Sequence, residues 1–266
     1  EWHHAGKTRP HHGCRKQPLH RLGNLQGAGR PGAELAFTYQ GEALGKRVKP
    51  LAAELGSGFH RSCDVEDIAS VDALFDAVRE RWGSLDFVVH AIGFSDKNEL
   101  KGLYADTTRA NFSRTMVISC FSFTEIAKRA AELMTDGGSM LTLTYNGSQR
   151  VIPNYNVMGV ARQLSRPPCA TSLPIMVRRA FASTPFPLVG SHAGWRWYLD
   201  ARAIFSWNQK NAPMRRTPDI KDIGGSALYL LSNLSRGVTG ECHYVDGGFN
   251  ITSIPTLEVL YNADSE

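Results

Sequence analysis

The chain has 266 residues, of which 42% are hydrophobic and 21% charged, a size and balance typical of one large globular domain. No apolar run approaches the about 18 residues that cross a bilayer, which excludes a membrane span, and the five scattered cysteines are typical of reduced thiols in the cytoplasm. The net charge of +5 suggests nucleic-acid binding. However, ten cations lie in residues 9–31 and 162–199, which contain no acid, so the excess positive charge is confined to these two stretches. We therefore expect no nucleic-acid partner.

Hydrophobic periodicity predicts alternating strands and helices between these two stretches and beyond them. The predicted elements are a strand at Ala33–Tyr39, a helix at Glu42–Leu55, a short strand ending near Cys63, a helix at Asp67–Trp82, a strand at Leu85–His90, a helix from Asp106 to Met134, a strand at Ser139–Tyr145, a helix at Lys221–Ser232 and a strand at Cys242–Val245. The strand at Leu85–His90 is read as a mainly apolar run, as expected for a strand covered on both faces.

This alternation predicts parallel βαβ units, and therefore an α/β fold with a doubly wound parallel sheet in a single domain, residues 1–266. Ligands of such sheets bind beyond the carboxyl ends of the strands. The residues predicted at those ends are Gln40, Cys63-Asp64-Val65, Ala91-Ile92-Gly93 and Tyr145.

Two of these strand ends have both a functional and a structural interpretation. The Asp64 carboxylate can accept hydrogen bonds from an adenine amine, or it can cap the helix that begins near Asp67. Gly93 allows a cofactor to approach the backbone, although glycine is common after strands.

Tyr155 stands at the predicted start of a helix, ten residues after Tyr145. A phenol there can donate a hydrogen bond to an oxyanion, and a cation at i+7, here Arg162, lies on the same helix face and can hold a ribose. The alternative interpretation is an amphipathic aromatic residue at a helix start, and spacing alone does not decide between the two.

Four stretches resemble the enoyl-[acyl-carrier-protein] reductase family of short-chain dehydrogenases/reductases. They are Gly32–Gly56, Leu85–Arg114, Met140–Ala161 and Asp200–Ser253, the last with the runs RAIFSWNQKNAP and YVDGGFNITS. The resemblance covers about three quarters of the chain and implies a Rossmann-type fold.

The resemblance also implies roles for single residues. The family's catalytic tyrosine and the lysine seven residues later correspond to Tyr155 and Arg162, with Tyr145 beside the substrate. The implied contacts to NADH are Gly13, Gln40, Asp64, Val65, Ile92 and Gly93, and Ser95 is expected near the acyl group. Other short-chain dehydrogenases have the lysine four residues after the tyrosine; here that residue is Gly159, which argues against a ketoacyl reductase or a sugar dehydrogenase.

The implied activity is NADH-dependent reduction of a trans-2-enoyl group on acyl carrier protein in bacterial type II fatty-acid biosynthesis, by a cytoplasmic homotetramer. One alternative is a different enzyme of the same fold. Another is a catalytically impaired short-chain-dehydrogenase-like protein, which applies if Arg162 and the missing glycine-rich turn are genuine.

The sequence departs from the family in the two basic stretches. Residues 9–31 should contain the glycine-rich turn and first helix, but read RPHHGCRKQPLHRLGNLQGAGRP. Read one base later with permitted codons, Arg9–Gly27 can read GLIMGVANNRSIAWGICKA. Read two bases later from the Ala161 codon, Arg162–Val189 can begin KAALEA, which restores a lysine at position 162. We therefore predict that residues 9–31 and 162–199 are translated in the wrong frame.

The histidines near the start of the chain are metal-ligand types without the pair spacing of a zinc module. They are His3, His4, His11 and His12, with Cys14 nearby. We expect no metal site.

Overall fold

The computed structural model describes the backbone of residues 2–8, 33–165, 176–182 and 201–254, and the side chains of residues 33–165 and 206–254. The strands are β1 (Trp2–Thr8), β2 (Ala33–Tyr39), β3 (Phe59–Ser62), β4 (Phe87–Ala91), β5 (Ser139–Thr144), β6 (Met176–Ala182) and β7 (Cys242–Val245). The α-helices are α1 (Gly41–Glu54), α2 (Ile68–Trp82), α3 (Arg109–Met116), α4 (Ser122–Leu133), α5 (Asn156–Leu164), α6 (Ala201–Asn211) and α7 (Ile220–Leu231).

These strands form one seven-stranded sheet in the order β3-β2-β1-β4-β5-β6-β7. The pairs β2–β3, β4–β5, β5–β6 and β6–β7 are parallel. The chain order changes direction around β1, so the ends of β2, β3, β4 and β5 meet at one edge of the sheet, where ligands of such folds bind.

Strand β1 is the exception, because it runs antiparallel to both neighbours. Trp2 pairs with Ala91 at the end of β4, whereas Thr8 pairs with Ala33 at the beginning of β2. The chain therefore leaves β1 at the edge opposite the carboxyl ends of the parallel strands.

Apolar side chains cover both faces of the sheet. On one face, α2 and α4 pack against residues such as Ala36 and Val88. On the other, α1 and α7 pack against Phe37, Phe87 and Leu141. Successive residues of β2 and β4 thus enter different cores, which is why these strands read as continuous apolar runs.

Most predicted elements appear with boundaries shifted by a residue or two. Asp67 is the N-cap of α2 and accepts the Ala69 amide at 3.0 Å, and Gly83 ends that helix with a left-handed φ of 69°. The helix predicted from about Asp106 to Met134 begins at Arg109, after the N-cap Thr108. The prediction of one continuous helix was wrong, because a π-helical turn at Val117–Phe121 separates α3 from α4. Strands β1 and β6 and helix α6 were not predicted.

Candidate active site

The first part of the candidate site is a recess at the ends of β2, β3 and β4. Its lining residues are Thr38, Tyr39, Gln40, Cys63, Asp64, Val65, Ile92 and Ile118. Four of the six predicted cofactor contacts, namely Gln40, Asp64, Val65 and Ile92, therefore lie together.

Asp64 organises the polar side of this recess. Its carboxylate accepts a hydrogen bond from Gln40 Nε2 at 2.8 Å and one from the Glu66 amide at 3.0 Å, while its own amide donates to Ser70 Oγ at 3.0 Å. The helix cap is Asp67, so the capping interpretation of Asp64 was wrong. The Asp64 carboxylate is instead held at the rim of the recess.

Two further residues give this recess its chemical character. The Thr38 hydroxyl is buried and has no hydrogen-bond partner among the described residues, so a polar group of a ligand can satisfy it. Burial raises the pKa of the Cys63 thiol to about 11, which keeps this thiol protonated and weakly nucleophilic. The remaining lining is apolar, as suits a planar base between Val65 and Ile92.

The second part of the candidate site is a pair of tyrosines after β5. The ring centroids of Tyr145 and Tyr155 lie 5.0 Å apart at an interplanar angle of 73°, an edge-to-face contact. Tyr155 is the N-cap of α5, as predicted for a phenol at a helix start, and is only 4% exposed. Burial raises the pKa of both phenols, and interaction with the Arg162 guanidinium partly offsets this rise for Tyr155.

Arg162 joins the two parts of the site. Its guanidinium donates from Nη1 to the Leu143 carbonyl at 3.1 Å, and its buried Nε has no partner in the described part of the chain. A Cβ at Gly93 would overlap the guanidinium at Nη2, so the space in front of this glycine is filled by Arg162. The i+7 spacing thus brings the cation to the phenol and to the end of β4.

Ser95 lies in the segment that follows β4, with its hydroxyl turned towards α3. Thr115 Oγ1 donates to Ser95 Oγ at 2.9 Å, and Ser95 Oγ lies 3.3 Å from its acceptor Asn111 Oδ1. Ser119 in the π-helical turn accepts from the Phe94 amide and donates to the Phe94 carbonyl, both at 2.9 Å. These supporting residues were not predicted, because small polar side chains within a helix carry no distinctive sequence signal.

The remaining predictions concern residues outside the described ranges, a metal site and a membrane span. Gly13 lies outside the described residues, as do the side chains of the early histidines. Among the described residues, there is no group of three or more His, Cys, Asp or Glu that could hold a metal ion. No helix within the described ranges is long and apolar enough to span a membrane.

Comparison with known proteins gives one consistent family. The family model described as "Enoyl-(Acyl carrier protein) reductase" matches residues 26–166 and 189–250. The enoyl-[acyl-carrier-protein] reductase [NADH] 2 of Rhizobium meliloti is 68% identical over 241 residues, 88% of each chain. The reductase [NADH] 1 of the same organism is 52% identical over 233 residues, 85% of this chain and 84% of the relative.

Solved structures agree with this result. An enoyl-(acyl-carrier-protein) reductase from Anaplasma phagocytophilum in complex with NAD superposes with a TM-score of 0.80 at 45% identity, covering 89% of this chain and 88% of that one. FabI from Candidatus Liberibacter asiaticus gives 0.79 at 49% identity, covering 88% and 91%. The predicted Rossmann-type α/β fold is confirmed, and the chain belongs to the NADH-dependent enoyl-[acyl-carrier-protein] reductase family of short-chain dehydrogenases/reductases.

Proposed function

We propose that this protein uses NADH to reduce the carbon–carbon double bond of a trans-2-enoyl thioester on acyl carrier protein, a step of bacterial type II fatty-acid biosynthesis. The observation that carries the proposal is the buried Tyr155 phenol, which contacts the Tyr145 ring and the Arg162 cation. Arg162 in turn reaches Gly93, the residue after Ile92 of the recess. Family membership supplies the reaction class, and the geometry supports the roles that we propose for the residues.

The described residues fit the adenosine part of NADH. Asp64 and Gln40 offer a carboxylate and an amide at the rim, and Val65 and Ile92 offer apolar surface. The Thr38 hydroxyl, which none of the described residues satisfies, can bond to a polar group of the cofactor. When bound, the reduced nicotinamide supplies the hydride. The protein contributes position and electrostatics to that chemistry.

Tyr155 has the protonation state that the reaction requires. Its raised pKa keeps the phenol uncharged at neutral pH, so it can donate a hydrogen bond. Hydride addition at the β-carbon would break the double bond and move an electron pair onto the thioester oxygen. As the carbonyl re-forms, the α-carbon would take a proton from water. A donor already aimed at that oxygen in a buried site is worth about 3 kcal/mol of transition-state stabilisation.

We propose supporting roles for the other candidate residues. Arg162 holds the phenol and opposes the effect of burial on its pKa. Tyr145 packs edge-on against Tyr155 and limits its movement. Gly93 gives Arg162 room, and Ser95, whose hydroxyl is held by α3, contributes to the wall on the acyl side.

A homotetramer is in keeping with exposed apolar residues along α3 and the π-helical turn. Phe112, Val117 and Phe121 are 36%, 39% and 53% exposed. Contact with a second copy would remove this apolar surface from water.

We propose a cytoplasmic location and a single domain over residues 1–266. Cys63, Cys120 and Cys242, the cysteines of the described residues, form no disulfide with one another, in keeping with a reducing compartment.

We also propose that residues 9–31 and 162–199 are translated out of frame. The family model leaves residues 167–188 unmatched, which supports it, and sequencing the encoding DNA tests it directly.

The activity is tested with the purified chain, NADH and a trans-2-enoyl acyl carrier protein. We expect loss of NADH absorbance and formation of the saturated acyl product, with no turnover of a 3-ketoacyl substrate. We expect Tyr155→Phe to lower kcat about 100-fold because it removes the donor. NADH that binds without any reduction would favour the alternative of an impaired protein, which no comparison favours at present.

A further inference from the structure

Tyr155 lies between two asparagines with left-handed backbone conformations. Asn154 has a φ of 58° and Asn156 a φ of 26°. This region is unfavourable for residues with a Cβ, at a cost of about 1 kcal/mol each, and asparagine is among the side chains that tolerate it best. The chain therefore turns sharply on both sides of the candidate catalytic phenol.

Only the second asparagine uses its side chain in the described part of the structure. Asn156 Nδ2 donates to the Glu99 carbonyl at 3.4 Å and to the Gly102 carbonyl at 3.3 Å. Asn154 is exposed and has no side-chain partner among the described residues. The conformation of Asn156 thus directs its amide towards a loop that is more than fifty residues away in sequence.

This loop, residues 97–102, is fixed at its other side. The Glu99 carboxylate accepts from the Thr108 amide at 2.9 Å and from the Thr108 hydroxyl at 2.9 Å, at the N-cap of α3. Leu100 is 1% exposed and belongs to the same buried apolar cluster as Tyr155. The loop therefore connects the start of α3 with the phenol.

We propose that Asn156 is a positioning residue for the reaction: its amide ties the start of α5 to the 97–102 loop and thereby sets the direction from which Tyr155 enters the site. The inference rests on the proposed function for its kinetic consequence. Asn156 acts through Tyr155 and the loop, and has no role in the chemistry itself.

Three substitutions separate the contributions. Asn156→Asp keeps the shape and the tolerance of a left-handed backbone but replaces the Nδ2 donor with an oxygen that faces two carbonyls. Asn156→Gly relieves the backbone and removes the amide. Asn154→Asp is the matched control, because it makes the same change at the other left-handed position, where the described residues offer no partner.

We expect both Asn156 variants to lose kcat by about tenfold or more, since small misplacements of catalytic groups are costly. The NADH dissociation constant and the melting temperature should stay near those of the unchanged chain, and Asn154→Asp should match it throughout. Unchanged kcat in Asn156→Asp, or losses of kcat, NADH affinity and melting temperature in parallel, would overturn the proposal.

Spectrophotometric titration of the phenol gives a second readout that needs no turnover. Subtracting the titration of the matching Tyr155→Phe protein isolates this one tyrosine. In Asn156→Gly, which adds no charge, we expect the Tyr155 pKa to fall as water reaches the ring. If the unchanged chain reduces no enoyl substrate, the proposed function fails on its own, and this titration alone decides the positioning role.

Discussion

The ring of Tyr155 lies directly on the backbone of Gly147, so closely that a Cβ at Gly147 would overlap the ring carbons. The same Cβ would come within 3.2 Å of the Tyr145 ring. Because Gly147 has no side chain, both phenol rings can lie close to the backbone of the turn after β5.

Gly147→Ala should displace the Tyr155 ring and lower kcat by about 100-fold, the cost of a shift of about 1 Å in a catalytic group. NADH affinity should change little, because Asp64 and the other recess residues lie at different strand ends. Gly225→Ala is the control, because no described atom outside its chain neighbours and the nearby backbone of its own helix lies within 4 Å of the added carbon. Steady-state kinetics and NADH fluorescence check both variants, and wild-type kcat in Gly147→Ala would show that the ring is free to move.

Replacing Arg162 with a neutral residue and replacing it with lysine should have different effects on the Tyr155 pKa and on kcat. Arg162→Gln removes the charge that opposes the burial effect, so the Tyr155 pKa should rise further and kcat should fall about 100-fold. Arg162→Lys keeps the charge and clears the space in front of Gly93, so we expect activity at or above that of the unchanged chain. Phenol titration and kinetics measure these effects; a lower Tyr155 pKa in Arg162→Gln contradicts the assigned contact.

Alanine substitutions of two aspartates three residues apart should affect different properties, NADH binding for one and stability for the other. Asp64→Ala should raise the NADH dissociation constant about tenfold, since a hydrogen bond to a charged group is worth roughly 1.5 kcal/mol or more. Asp67→Ala should leave NADH binding unchanged but lower the free energy of unfolding by about 1 kcal/mol, because it removes the α2 cap. Calorimetric titration and denaturant unfolding test the pair, and the reverse pattern would refute both assignments.

Cys63 offers a chemical probe of the recess. With its pKa near 11, alkylation should be slow at pH 8 and rise about tenfold per pH unit up to that value. NADH should protect this thiol, since Cys63 lines the recess, whereas the half-buried Cys242 on β7 should react at the same rate with or without NADH. Mass spectrometry of the two peptides gives both rates, and equal protection would argue against NADH in the recess.

The predictable parts of the molecule are those set by local pattern. The bounds of β2 and β7 match the prediction because turn-forming residues flank short apolar runs. Tyr155 and Arg162 meet because seven residues make two helical turns. The sequence pattern did not indicate the break in the long predicted helix, because the break depends on tertiary contacts such as the one between Ser119 and Phe94. The partners of Asn156 are backbone carbonyls, which any sequence supplies, so its contact had no signal at all.

The reversed direction of β1 has a consequence for the sheet centre. Hydrogen bonds between strands use only backbone groups, so an extended segment of either polarity can occupy the gap between β2 and β4. The direction of the strand determines at which edge of the sheet the chain leaves β1. After Thr8 the chain leaves at the edge remote from Tyr155. Occupancy of the central position and delivery of a phosphate-binding turn are therefore separable properties, and a chain with its frame restored should place a strand parallel to β2 and β4 at this position, followed by the glycine-rich turn.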